Sequence, residues 1–307
     1  MSDKLEIVMM GNRGVGKTSV LSAMWHQLDS VNADMGGVQM CPEGHTFDEM
    51  MEKWQDMLDK LVKKAPFLNL IDILDAPGSA GFTEYDFTFR AGKNEEHITF
   101  VDSAGAFTEK RQPELVDRVN EAFAVFFVVD ASILMECGED KNYKYNNSEI
   151  PKKIIDQITS DDDKKQPTFF LFILTKCEKY MASFELGERL YQRFDAVFGH
   201  TAKFINGKGI KTYYIPIQTI GKGIVFSHLD ENGMPVFKTT MHKKCEPVDA
   251  AYPLVILFKH LIDKMADIKF YQIWKIICRW LKISEDVKKY KQMLDSHFSK
   301  PVFFKEL

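Results

Sequence analysis

LEIVMMGNRGVGKT, running from Leu5 to Thr18, decides how this chain folds. Apolar and β-forming residues lead into Gly11, and the spacing G-x-x-x-x-G-K-T then closes on Gly16, Lys17 and Thr18. Residues 19–28 continue with Val20, Leu21, Met24 and Leu28 on one helical face. The order strand, glycine-rich loop, helix is the context in which this spacing has structural meaning. Gly11 and Gly16 let the backbone turn its N–H groups inward around phosphate oxygens, and the helix N-terminus adds its positive dipole end. Asn12, Arg13, Gly14, Val15, Gly16, Lys17, Thr18 and Ser19 would line that cradle. Lys17 would reach the outer phosphates, and the Thr18 hydroxyl would take one position on Mg²⁺. The stretch predicts a nucleoside triphosphate site.

Composition narrows the class. A chain of 307 residues can bury a full core in one large or two modest domains. Its 40 basic and 44 acidic residues are well mixed and leave a net charge of −4, which carries no signature of nucleic-acid binding. Cys41, Cys137, Cys177, Cys245 and Cys278 form no C-x-x-C pair, so neither a disulfide framework nor a zinc ribbon is expected. Cys41 and His45 lie close in CPEGH without a second ligand pair and read as loop. MSDKLEIV has no apolar h-region of signal-peptide type, and the apolar run at residues 122–129 is too short to span a bilayer. A reduced cytosol, hence a cytoplasmic protein, is the expectation.

Outward from the loop, residues 31–82 read as an insertion. Gly36-Gly37, Pro42 and Gly44 break it, and Met50, Met51, Trp54, Leu58, Leu61 and Val62 then recur at helical spacing over residues 47–64. Residues 83–90 alternate as a strand and 97–101 return after Gly92, predicting an antiparallel hairpin. A helix over 107–123 and a buried strand over 124–129 ending in Asp130 come next. Then follow a helix over 151–159, a strand over 169–174, a helix over 184–198 and a strand over 212–217. Strands alternating with helices predict an α/β fold with a mostly parallel central sheet. Asp230-Glu-Asn-Gly233 signals a further hairpin between residues 224–228 and 234–239. A helix over 248–265 resumes the layer. From Ile268 onward the chain reads as a basic, aromatic helical extension, with Phe270, Ile273, Trp274, Ile277 and Leu281 on one face.

Two further motifs bear on chemistry. ITFVDSAG places Asp102 at a strand end in D-x-x-G with Gly105; such an aspartate holds Mg²⁺ through water, and the glycine N–H can meet the γ-phosphate. The rival D-x-x-G, Asp75 to Gly78, is followed by a hairpin strand rather than by a helix and a strand ending VVDAS, so element order favours Asp102. Thr175-Lys176-Cys177-Glu178 follows the buried run FFLFIL. A carboxylate there can accept two hydrogen bonds from guanine N1–H and its amino group, a pair that adenine does not offer. Lys176 would lie along the base and bridge toward the phosphate loop. Thr175 and Glu178 also fit a plain capping box. Gln218 and Thr219, in IQT after the next strand, could offer backbone N–H groups to the base.

GNRGVGKT, DSAG, the strand ending VVDAS, TKCE and IQT, in this order, resemble the characteristic segments of Ras-like P-loop GTPases of the translation-factor-related class. The resemblance spans residues 5–265, and TEYDFTF after Gly78 is also similar to bacterial double-GTPase proteins. It implies a three-layer P-loop NTPase (G-domain) fold with a mostly parallel central sheet, one antiparallel edge strand, a helical insertion after the first helix and a C-terminal helical extension. Residues 1–265 would form the G domain and 266–307 the extension. The family's Mg²⁺-ligating switch threonine falls on Thr83, with Ser79 as the alternative, so that Thr18, Thr83 and Asp102 would hold the metal. Ala106 stands where the family has a water-orienting glutamine, which implies slow or partner-stimulated hydrolysis; Glu109, Arg111 and Gln112 are candidates for that role. Arg13 replaces a common glycine and either stabilises transition-state charge or faces solvent or a partner. Glu178, one methylene longer than the usual aspartate, leaves guanine preference open.

The function so implied is a guanine-nucleotide-binding molecular switch that hydrolyses Mg²⁺–GTP to GDP and phosphate. Its switch loops would be residues 78–85 and 103–113. A protein partner would dock on these loops, the insertion or the C-terminal helix, and that helix could instead touch a membrane surface. A nucleotide-gated interaction module with little turnover and an ATP-dependent P-loop enzyme are the alternatives.

Overall fold

The computed structural model describes residues 4–32, 38–63, 67–68, 82–103, 112–159, 166–239, 246–273 and 280–307. The first half of the chain runs β1 (Leu5–Met10), α1 (Lys17–Asn32), β2 (Val38–Pro42), α2 (Thr46–Lys63), β3 (Phe67–Leu68), β4 (Phe82–Ala91), β5 (Asn94–Ser103), α3 (Gln112–Glu121) and β6 (Ala124–Asp130). Next come α4 (Ala131–Glu136), α5 (Glu139–Tyr145), α6 (Ile150–Thr159), β7 (Phe169–Thr175), α7 (Phe184–Gly207) and β8 (Lys211–Pro216). A single 3₁₀ turn precedes β9 (Ile224–Leu229), β10 (Pro235–Thr239), α8 (Tyr252–Ile273), α9 (Trp280–His297) and β11 (Lys305–Glu306).

Eight strands form one sheet in the order β11-β8-β7-β6-β1-β5-β4-β2. β5, β1, β6, β7 and β8 are mutually parallel. Every residue of β6 and β7 is buried, as expected for parallel strands covered on both faces. Their side chains alternate between two cores, since strand periodicity is two. Ile7, Phe126 and Ile173 pack with Met24 of α1, Trp54 of α2 and Phe258 of α8. Val8, Phe127 and Phe172 pack with Leu115 of α3, Ile155 of α6 and Phe198 of α7. Each fully buried phenylalanine contributes about 1.5–3 kcal/mol, so the aromatic cluster of Phe127, Phe170, Phe172, Phe194 and Phe198 anchors the second layer. A separate three-stranded antiparallel sheet, β3-β10-β9, stands beside the main one.

The mostly parallel α/β sheet matches the sequence reading; its edges differ. In place of one antiparallel edge strand, β4 pairs antiparallel with β5 and β2 antiparallel with β4 on one flank, and β11 runs antiparallel to β8 on the other. Val38–Pro42 lies among the glycines and proline that read as a broken insertion, yet it pairs with β4 from Val38↔Ala91 to Pro42↔Phe87. Lys305–Glu306 is too short to carry a periodic signal, and the extension therefore does not stay helical to its end. The apolar face expected between Phe270 and Leu281 lies outside the described side chains. Among the described residues no helix is long and apolar enough to cross a membrane.

Candidate functional site

The carboxyl ends of β1, β5, β6 and β7 meet at one end of the sheet, where parallel α/β folds leave a crevice for ligands. The loop Gly11 to Gly16 fills it. Gly11 has φ 145° and Gly16 φ 102°, conformations that side chains rarely adopt. A Cβ on Gly11 would lie 2.7 Å from the Val128 carbonyl oxygen, so the loop passes directly over β6. Asn12 ties it sideways: its Nδ2 donates to Lys144 O at 3.0 Å, and its Oδ1 accepts from Arg13 N at 2.9 Å. Val15 and Ser19 are buried, while Arg13 is exposed at the rim. α1 begins at Lys17 and directs its N-terminus into the loop.

Lys17, Thr18 and Asp102 come together beneath the loop. Lys17 Nζ donates to Gly11 O at 3.0 Å and to Asn12 O at 3.4 Å, and lies 3.8 Å from Asp102 Oδ1. Thr18 Oγ1 donates to Asp102 Oδ2 at 3.0 Å. Burial pulls the Lys17 ammonium below its ordinary pKa and pushes the Asp102 carboxyl above its own, each partly offset by the other. Asp102 Oδ1 is buried without a hydrogen-bond partner, a feature that costs about 1–3 kcal/mol unless a ligand satisfies it. Thr83 stands directly opposite Asp102 in the β4–β5 ladder, so the two share a sheet face. Among the described residues no three His, Cys, Asp or Glu gather as a metal cluster. Thr18, Asp102 and Thr83 carry side-chain oxygens at this end of the sheet.

The second loop, after β7, is tied to the first. Thr175 Oγ1 donates to Val15 O at 2.6 Å and to Val129 O at 3.3 Å. Lys176, at φ 56°, donates from Nζ to Gly14 O at 2.9 Å and to Asp130 Oδ2. Asp130 also caps α4, its Oδ1 accepting from Ser132 N at 2.9 Å and Ile133 N at 3.1 Å. The strand ending in Asp130 was legible in VVDAS; its pairing with Lys176 was not, because it depends on the β6–β7 register Asp130↔Thr175. The Glu178 carboxyl is pushed up to about 7 by burial, against the pull of the backbone N–H groups of Glu178 and Ile220 and of the Lys176 charge. Gln218 N–H is committed to Val248 O at 3.0 Å, and Thr219 is buried, so the N–H that faces Glu178 belongs to Ile220.

A groove runs along the loop between Arg13, Gly14, Asp130 and Lys176 on one side and Met234, Pro235 and Phe237 of the β9–β10 hairpin on the other. The hairpin is fastened by Lys141 Nζ, which donates to Asn232 O and Gly233 O at 2.6 Å each. Gly105, Ala106, Glu109 and Arg111 lie outside the described residues, as do Asp75 to Gly78, Ser79, half of the first expected switch loop and most of the second. Gln112 opens α3. No protein-family model matches the chain, and no curated protein matches it.

Proposed function

We propose that the chain is a Ras-like G-domain GTPase: a guanine-nucleotide-binding switch that binds Mg²⁺–GTP, hydrolyses it slowly to GDP and phosphate, and through its loops regulates a protein partner. One observation carries this reading. Four strand ends bring a glycine loop, the lysine that opens α1, a Thr18–Asp102 oxygen pair and a loop-spanning Lys176 into one crevice. Lys17, now bonded to loop carbonyls, would exchange these for β- and γ-phosphate oxygens. Attack of water on the γ-phosphorus would form one P–O bond as the bond to the bridging oxygen breaks; the bonding pair leaves on the GDP β-phosphate, the water's proton passes to a phosphate oxygen, and Lys17 and Arg13 would neutralise the charge spread over the phosphoryl oxygens. Bound Mg²⁺ would supply Lewis-acid charge there, held by Thr18, Asp102 through water, and Thr83.

A second reading has one observation in its favour. With Glu178 titrating at about 7, a large share is protonated at neutrality. A protonated carboxyl can donate to adenine N1 and accept from its amino group, which suits an ATP-dependent module. Displacement of fluorescent GDP by GTP, GDP, ATP and ADP in Mg²⁺, for wild type and Glu178→Ala, separates the two. Guanine preference of about a hundredfold (about 2.7 kcal/mol), lost in the variant, is the expected result. Equal competition by adenine nucleotides overturns the guanine assignment.

A further inference from the structure

Thr83 pairs with Asp102, and Tyr85 pairs with Phe100, so Thr83, Tyr85 and Asp102 stand on one face of the sheet near its ligand-bearing end. α2, part of the stretch between α1 and β4, lies over that face with Met50 and Trp54 buried against it. Lys53, the neighbour of Trp54, turns inward. Its ammonium donates to the Tyr85 hydroxyl and lies 4.6 Å from the ring centre. Lysines at such positions ordinarily carry the charge out to water along a flexible stem. Here the partner is a phenol that is 1% exposed, an uncharged group that leaves the lysine charge uncancelled. Among the described residues no carboxylate lies within ion-pair distance of Lys53. Tyr85 lies two positions from Thr83 on the sheet face that also carries Asp102, so the Lys53 ammonium is held at the ligand-bearing end of that face.

We propose that Lys53 is a further positioning residue of the phosphate end of the site: α2 sets a second positive charge on the sheet face that carries Asp102, steadied by the Tyr85 hydroxyl, and this charge favours the nucleotide that carries the terminal phosphate. The inference rests on the nucleotide-site reading above. A fixed cation interacts more strongly with a triphosphate than with a diphosphate, and it also substitutes in part for Mg²⁺ in neutralising the extra charge. The inserted helix is thereby coupled to the presence of the γ-phosphate.

The test titrates the full chain with a fluorescent non-hydrolysable GTP analogue and with fluorescent GDP over a series of Mg²⁺ concentrations. Lys53→Met keeps the aliphatic stem and removes the charge. It is expected to weaken the triphosphate analogue about fivefold to tenfold and GDP less than twofold, and to raise the Mg²⁺ concentration needed for half-maximal analogue binding. Lys53→Arg should stay close to wild type, and Tyr85→Phe should shift the same ratio in the same direction by less. Lys208→Gln, at the far end of α7, controls for net charge, and melting temperatures report folding. An unchanged triphosphate-to-diphosphate ratio in Lys53→Met, or an equal shift in Lys208→Gln, overturns the proposal while the nucleotide site stands. Should Lys53→Met fail to fold, the Tyr85→Phe ratio decides by the same criterion. Failure of the wild type to bind any nucleotide overturns the site reading and this inference with it.

Discussion

At the scale of single residues, Glu178 links geometry to a measurable pH effect. Its ionised form accepts from two guanine donors, and its protonated form does not, so guanine affinity should rise with pH through about 7 and level off above it. Isothermal titration with GDP from pH 6 to 8.5, beside Glu178→Asp, checks this; a flat wild-type profile would show that the carboxyl is already ionised at pH 6. Lys176 was the most legible residue of the site. TKCE after a buried strand placed it near the loop, and its ammonium does reach Gly14 O. Asp102 was legible through element order, and it sits against Lys17 and Thr18. Lys53 and Tyr85 were not legible, because their meeting depends on how α2 lies across β4, and no local spacing encodes that.

At the scale of elements, the strands that could be read were those buried on both faces. FFLFIL and AVFFVV are continuous apolar runs whose length and flanks exclude most alternatives. β2 and β11 were missed because edge strands draw their order from a neighbour. β11 shows the consequence. Leu307 N donates to Thr212 O at 2.9 Å, Asn206 Nδ2 donates to Leu307 O at 2.9 Å, and Phe303 seats its ring on Gly187 of α7. A Cβ on Gly187 would fall 2.2 Å from that ring. Gly187→Ala should therefore unseat Phe303 and cost about 1–3 kcal/mol. Hydrogen exchange should quicken at residues 305–307 and at the facing edge of β8. Unchanged protection there would mean that the pairing holds the tail without the ring.

At the scale of the molecule, two half-buried groups tilt the pH dependence of stability in opposite directions. Glu178 has a folded pKa of about 7 against 4.5, so the folded state binds the proton more tightly and stability falls as pH rises through that window. His260, stacked on Phe169 with ring centres 4.4 Å apart and bonded through Nε2 to the Tyr213 hydroxyl, is held down to about 4 against 6.5 by burial. Its unfolded form binds the proton more tightly, so its contribution is lost as pH falls from about 6.5 toward 4. Between pH 4.5 and 6.5 the two largely oppose each other. Glu178→Gln should expose the histidine trend: urea unfolding should show the variant gaining on wild type from pH 4.5 to about 7 and holding that gain above. A pH-independent difference would count against the raised carboxyl.

The register of β1 also sets the order in which the chain can become safe. This strand precedes its sheet partners in the chain but lies in the middle of the sheet, with Leu5 waiting for Ile98 on one side and Ile7 for Ala124 on the other. While the nascent chain is shorter than that, the run Ile7 to Met10 has two unsatisfied edges and apolar side chains for both layers, a template for wrong partners. Contacts this distant in sequence are slow to form. Until residue 124 has emerged, β1 therefore stands as an unpaired apolar edge, the kind of segment through which partly made chains aggregate.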